Sequence, residues 1–271
     1  MSFQPVVPLG GFVGWKFLQR TLDDQRAAHA DAPSQKRATE HFRDRIGSIR
    51  TAEQLVGDRQ LLSVALGAFG LDEDLPNKAF IEKVLTDGTA RPEALANRLV
   101  EKRHRALSDA FGFAGPGLPR TGLSGFADRI VAAYEARQFE IDVGTQDPDL
   151  RIALALDRDL GEITAGGLSE NGKWFAIIGQ PPLRNAFETA FGLPPSFGSI
   201  DIDAQLETFR EKARAAFGDD AVAQFTDPAR REELVRLFLL RADLQATRQS
   251  PGASSVALSL LRQSNGPASL L

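Results

Sequence analysis

Leu55-Val56-Gly57-Asp58-Arg59-Gln60-Leu61-Leu62-Ser63-Val64-Ala65-Leu66-Gly67-Ala68-Phe69-Gly70-Leu71 decides how this chain reads, because the chain uses it twice. The second copy, Ile177-Ile178-Gly179-Gln180-Pro181-Pro182-Leu183-Arg184-Asn185-Ala186-Phe187-Glu188-Thr189-Ala190-Phe191-Gly192-Leu193, aligns with it without a gap. In both, two apolar residues precede a glycine, a short polar break follows, and an apolar-periodic run ends in Ala-Phe-Gly-Leu. This pattern predicts a helix end, a turn, and a short helix stopped by glycine. Gly70 and Gly192 are expected in the left-handed region, which only a residue without Cβ adopts cheaply, with the next leucine folded back in a Schellman motif. The expected partner of Leu71 is Leu66. Ala-Phe-Gly recurs at Ala110-Phe111-Gly112 and Ala216-Phe217-Gly218, so one stopping device serves four helices.

Working outward, 271 residues suffice for one large domain or two packed halves, and the repeat favours two related halves. Hydrophobic content of 42% and charged content of 25% are those of a soluble globular protein. A formal net charge of −4 provides no electrostatic basis for binding nucleic acid or anionic membranes. Cysteine is absent, which excludes disulfides, thiolate metal sites and cysteine nucleophiles. No apolar run approaches the roughly 18 to 20 residues that span a bilayer, and the N-terminus lacks the pattern of a Sec signal. The expected location is the cytoplasm, and export by a route that needs no cleaved signal stays open.

Periodicity predicts an all-α fold of two multi-helix halves packed together, with short loops, a flexible N-terminal arm and a flexible C-terminal tail. Residues 1–10 read as an extended arm, 11–114 as the first half, 115–122 as a linker, 123–249 as the second half, and 250–271 as the tail. Within the first half, helices are expected from Gly11 to about Ala30, from about Ser34 to Ile49, and through Phe80 to Leu85. One long helix is expected from about Pro92 to Phe111. Thr51 and Gln54 have capping-box spacing, and Asp147-Pro148 reads as a cap and first helical position. In the second half, Ala165-Gly166-Gly167 and Asn171-Gly172 bracket a turn, and Phe197-Gly198-Ser199 reads as a loop.

Candidate functional residues are few. In the long helix, spacing puts Arg103 between Leu99 and Ala106 on the apolar face, as a snorkelling stem or one member of a buried ionic site. Phe12, Trp15 and Phe17 spread round more than one side of the first helix, and Leu258 and Leu261 lie in a short apolar segment of the tail. These five residues are the candidates for binding a protein partner. Of the three histidines, His41 lies beside an apolar stripe and reads as structural. Asp157, Asp159 and Glu162 read as a solvated face. Gly10-Gly11-Phe12-Val13-Gly14 follows no strand, no P-loop or zinc spacing occurs, and Gly122-Leu123-Ser124-Gly125 lacks the context of a nucleophile elbow. No cofactor or metal is expected.

Asp58-Arg59 in the first copy, Lys102-Arg103-His104 ahead of Ala110-Phe111-Gly112-Phe113, and Pro181-Pro182-Leu183-Arg184 through Leu193 carry a resemblance to the uncharacterised DUF1217 family, extending from about Leu18 to Leu244. Its members are alphaproteobacterial proteins often encoded among flagellar genes. The resemblance implies an α-helical fold and a flagellar association by context, and carries over no catalytic residue. The resulting expectation is a non-enzymatic protein acting through protein contacts in flagellar assembly or structure. Its rivals are a cytosolic adaptor or chaperone for an exported flagellar protein, and an enzyme with a carboxylate-based site. Partner identity and oligomeric state stay open at this level.

Overall fold

A computed structural model describes residues 3–115 and 117–249. Among these residues there are helices and no strand: α1 (Gly11–Ala30), α2 (Pro33–Ile46), α3 (Ala52–Gly57), α4 (Arg59–Ala68), α5 (Lys78–Asp87), α6 (Leu95–Arg98), α7 (Arg103–Phe111), α8 (Phe126–Gly144), α9 (Pro148–Ala165), α10 (Glu170–Ile178), α11 (Pro181–Phe191), α12 (Ile202–Phe217) and α13 (Pro228–Gln249), with short 3-10 turns between some of them.

The repeat folds as read. Its first copy is α3, a one-residue corner at Asp58 and α4; the second is the end of α10, a corner of Gly179 and Gln180, and α11. At the first corner Asp58 caps α4, accepting from the backbone amides of Gln60 and Leu61 at 2.9 and 3.1 Å. At the second, Pro181 opens α11, where its missing amide costs nothing. Both helices stop identically. Gly70 and Gly192 have φ of +69° and +67°. The Leu71 amide bonds the Leu66 carbonyl and the Gly70 amide the Gly67 carbonyl, at 2.9 and 3.1 Å. Leu193 and Gly192 repeat this on Glu188 and Thr189, at 2.8 and 3.0 Å. These are the two bonds of a Schellman motif, and Leu66 is the partner of Leu71 as expected.

Each copy sits in the core of its own compact unit. One unit comprises Met1–Val7 and Leu18–Gln146, the other Pro8–Phe17 and Asp147–Leu271. In the first, α4 is buried from Leu61 to Ala68 apart from Ser63 and packs on α2 and α8, joined by Phe42, Ile46, Phe111, Phe126 and Ile130. The helices approach so closely that a Cβ on Gly67 would lie 2.7 Å from the Tyr134 ring. In the second unit, α11 packs on α13 and α12 around an aromatic cluster. Phe187 lies edge-on to Trp174, Phe191 and Phe225 at 5.5 to 5.7 Å, and Phe197 stacks on Phe209 at 5.5 Å. Such offset contacts add about 0.5–1.5 kcal/mol per pair beyond area burial.

Five expectations are corrected. The division falls between Gln146 and Asp147, not at 115–122, because α8 packs on α4 and α2 and so belongs with the first copy. The arm is extended but tied down. Val6 exchanges hydrogen bonds with the Gln25 side chain at 2.7 and 3.2 Å, the Gln146 amide reaches the Pro5 carbonyl at 2.7 Å, and Pro5 is buried.

The long helix from Pro92 to Phe111 is two short ones. The Asn97 side chain donates to the Thr89 and Arg91 carbonyls, and Glu101 accepts from the Arg103 amide at 3.2 Å, so side chains offer the backbone an alternative to helix at Leu99–Lys102. Val100, between the two, is 96% exposed. Asn171 and Gly172 lie inside α10, not in a turn, because Ser169 accepts from the Gly172 amide at 3.2 Å and starts the helix before them. Phe197 belongs to a 3-10 turn and is buried. Leu258, Leu261 and the rest of the 250–271 segment lie outside the described residues.

Candidate functional site

In the first unit, the end of α2, α3 and the start of α4 bound an open cleft of about 590 Å³, lined by residues including Arg45, Ser48, Gln54, Asp58 and Arg59. Local capping shapes it. Thr51 accepts from the Gln54 amide at 3.2 Å, while Gln54 Oε1 reaches back one residue beyond the expected box, to the Arg50 amide at 2.7 Å. Asp58 is the hub, since beyond its two capping bonds its Oδ2 holds His41 Nε2 at 2.8 Å. Burial alone would raise the Asp58 pKa; the His41 hydrogen bond and the two backbone amides outweigh it and hold the carboxyl below its usual value.

His41 is therefore a structural clasp between α2 and α4, and the other histidines behave alike. His29 Nε2 meets Asp142 at 2.9 Å and His104 Nε2 meets Asp74 at 2.8 Å. All three pairs lie in the same unit. The sequence could not reveal this, because the aspartates stand 113, 17 and 30 positions away from His29, His41 and His104.

Arg103 is not part of a buried ionic site. Its side chain is 48% exposed, pairs with Glu101 at 2.7 Å, and donates to the Gly70 carbonyl. Arg137 Nε adds a bond to the Ala68 carbonyl at 2.9 Å. Two guanidinium groups thus cover the C-terminal end of α4, where carbonyls lack helical partners and the dipole favours cations. The misplacement followed from the assumption of one continuous helix. In the second copy one guanidinium stands at the corresponding place, for a Cβ on Gly192 would lie 2.5 Å from Arg241 Nη1.

The second unit holds the aromatic candidates. The start of α1 runs antiparallel to α13, with Gly11 against the Asp243 carboxylate, Phe12 beneath Arg236 at 5.9 Å, and Trp15 Nε1 donating to Glu232 at 3.2 Å. Trp15 is 7% exposed and belongs to the core. Phe12 and Phe17 are half-buried. Phe12 lines a cleft of about 430 Å³ with Lys16, Glu232, Glu233 and Arg236, a ring under two cations, Lys16 being 5.5 Å from its centroid. Leu9 just before α1, Val13 on it, and Leu240 and Leu244 on α13 are 57, 64, 40 and 58% exposed.

Carboxylates gather where α1 begins. Asp147 lies against Gly10 and Asp243 against Gly11, at the positive end of the helix dipole. Nearby Asp149 has its pKa raised, first by burial and then by the charges of Asp147 and Asp243. Asp157 pairs with Arg231 and Asp159 with Arg158, and among the described residues no acidic or histidine grouping has the geometry of a metal site.

Helices alone, built round a duplicated corner, define the class as an all-α protein. The chain belongs to the DUF1217 family, described as "Protein of unknown function (DUF1217)", whose profile matches residues 68–230. A search of curated proteins finds no match. The fold is similar to the X-ray structure of protein AGR_C_984 from Agrobacterium tumefaciens, with a TM-score of 0.71 at 23% identity, covering 90% of this chain and 99% of that one. At that identity the likeness is one of fold. No described helix is long and apolar enough to cross a membrane.

Proposed function

We propose that this is a non-enzymatic protein that works through protein contacts in flagellar assembly or structure, and that its contact face is the α1–α13 surface of the second unit. One observation carries the reading: Val13 of α1 and Leu244 of α13 are both more than half exposed, on the same two helices whose Phe12, Lys16, Glu232 and Arg236 line a cleft. An apolar patch around an aromatic floor with a charged rim is the usual composition of an interface centre. Trp15 supports this face from within, by holding α1 on Glu232. The flagellar setting comes from the family context alone.

The test is site-specific photocrosslinking in the native cell from Val13 and Leu244, with Val100 in the other unit as control, followed by fractionation of cytosol and purified basal bodies. The expected result is a flagellar protein crosslinked from the first two positions and absent from the third, enriched with basal bodies. Crosslinks that are equal at all three positions would refute the contact face. Enrichment in the cytosol with an unassembled flagellar protein would support the adaptor reading instead.

A further inference from the structure

We propose that the α2–α3–α4 cleft of the first unit binds an oxyanion through Arg45 and Arg59. Its volume of about 590 Å³ lies in the range of small-ligand sites. Both arginines are exposed, and among the described residues neither makes a side-chain hydrogen bond or ion pair, whereas Arg43, Arg103 and Arg105 of the same unit pair with Asp128, Glu101 and Asp109.

The carboxylate that shares the cleft does not satisfy them. Asp58 spends its oxygens on two backbone amides and His41. Arg50, which is not among the residues that line the cleft, is pinned by its own Nη1 to the Gly47 and Ile49 carbonyls. Gln54 uses its oxygen on the Arg50 amide and keeps its amide donors. This concentration of donors stands in a chain whose formal net charge is −4.

The second copy of the repeat is an internal control. It builds the same corner with Gln180 and Pro181 in place of Asp58 and Arg59, so the turn does not require the Arg59 charge. Guanidinium groups match phosphate and carboxylate oxygens in paired geometry, and the ligand is accordingly a phosphate-bearing small molecule or acidic side chains on a protein.

Titration calorimetry of the full chain, at matched ionic strength against chloride, would use inorganic phosphate in one arm and a glutamate-rich peptide in the other. Saturable binding of at least one probe is expected. Arg45→Gln and Arg59→Gln should each weaken it about tenfold, the double variant should abolish it, and Arg98→Gln, an exposed arginine outside the cleft, should leave it unchanged. Circular dichroism would establish that the variants are folded. Phosphate binding alone assigns the cleft to phosphate-bearing ligands, and peptide binding alone assigns it to acidic protein segments. No saturable binding of either probe, or equal affinity in folded wild type and double variant, would overturn the proposal.

Discussion

Replacing Gly192 by Ala tests the helix stop that the repeat encodes. With φ of +67° and ψ of 33°, an alanine there would bear the left-handed strain of an L-residue, about 1–2 kcal/mol. Its Cβ would also lie 2.5 Å from Arg241 Nη1, so the guanidinium must leave the end of α11. A cation at a helix C-terminus contributes about 0.3–1 kcal/mol. The expected loss is therefore about 1.3–3 kcal/mol, and valine, branched at Cβ, should cost more. Gly218→Ala in the same unit is the control, with φ of +84° and nothing within 4 Å of the added carbon, so it should show the strain alone. Arg241→Met removes the guanidinium beforehand. In that background Gly192→Ala should lose only the strain, leaving a coupling of about 0.3–1 kcal/mol in the cycle. Urea unfolding followed by tryptophan emission suits the measurement, because Trp174 lies 5.5 Å from Phe187 of α11. A Gly192→Ala cost below that of Gly218→Ala, or additive effects of Gly192→Ala and Arg241→Met, would refute the account of Arg241 as a cover for this cap.

Arg103→Met should cost less than about 1.5 kcal/mol in denaturant unfolding, the loss of a half-exposed pair and one bond to the Gly70 carbonyl, and a loss of about 3–5 kcal/mol would restore the buried-pair reading. Deleting residues 1–7 removes the Gln25 and Gln146 bonds to Val6 and Pro5 and should lower the Tm by at least about 4 °C in circular dichroism melts, while an unchanged Tm would show that the arm is not structural. For Asp149, a carboxyl whose folded pKa is raised contributes stability below its unfolded pKa and loses it as pH rises through the folded value, so its charge is a cost at neutral pH. Asp149→Asn should accordingly raise the urea midpoint at pH 7 and have no such effect at pH 3; a midpoint lowered at pH 7 would contradict the burial and the neighbouring charges as the cause.

Much of the fold was legible because its signals are local. Helix periodicity, Asp147 ahead of Pro148, Thr51 three residues before Gln54, and four Ala-Phe-Gly stops each depend on neighbours within one or two turns. The errors fell where a side chain competed with the helix. Asn97 and Glu101 broke the long helix between Arg98 and Arg103, and that break moved Arg103 from an apolar face to the surface. The candidate sites were less legible. Phe12 falls where a cleft forms, whereas Trp15 is core, a difference set by α13 more than 200 positions away. Nothing in sequence spacing brings Arg45 into one cleft with Arg59.

By itself, then, the sequence determined the helical class, the duplicated corner and the way each copy ends, because backbone strain at a glycine and amide satisfaction at a cap are decided within a few residues. Tertiary structure alone decided that the compact units divide at Gln146 and Asp147, that each histidine closes on a distant aspartate, and that arginines from α7, α8 and α13 approach the ends of α4 and α11. Those partners are far apart along the chain. Their meeting depends on which faces the packed helices bury together, information that no local window of residues contains.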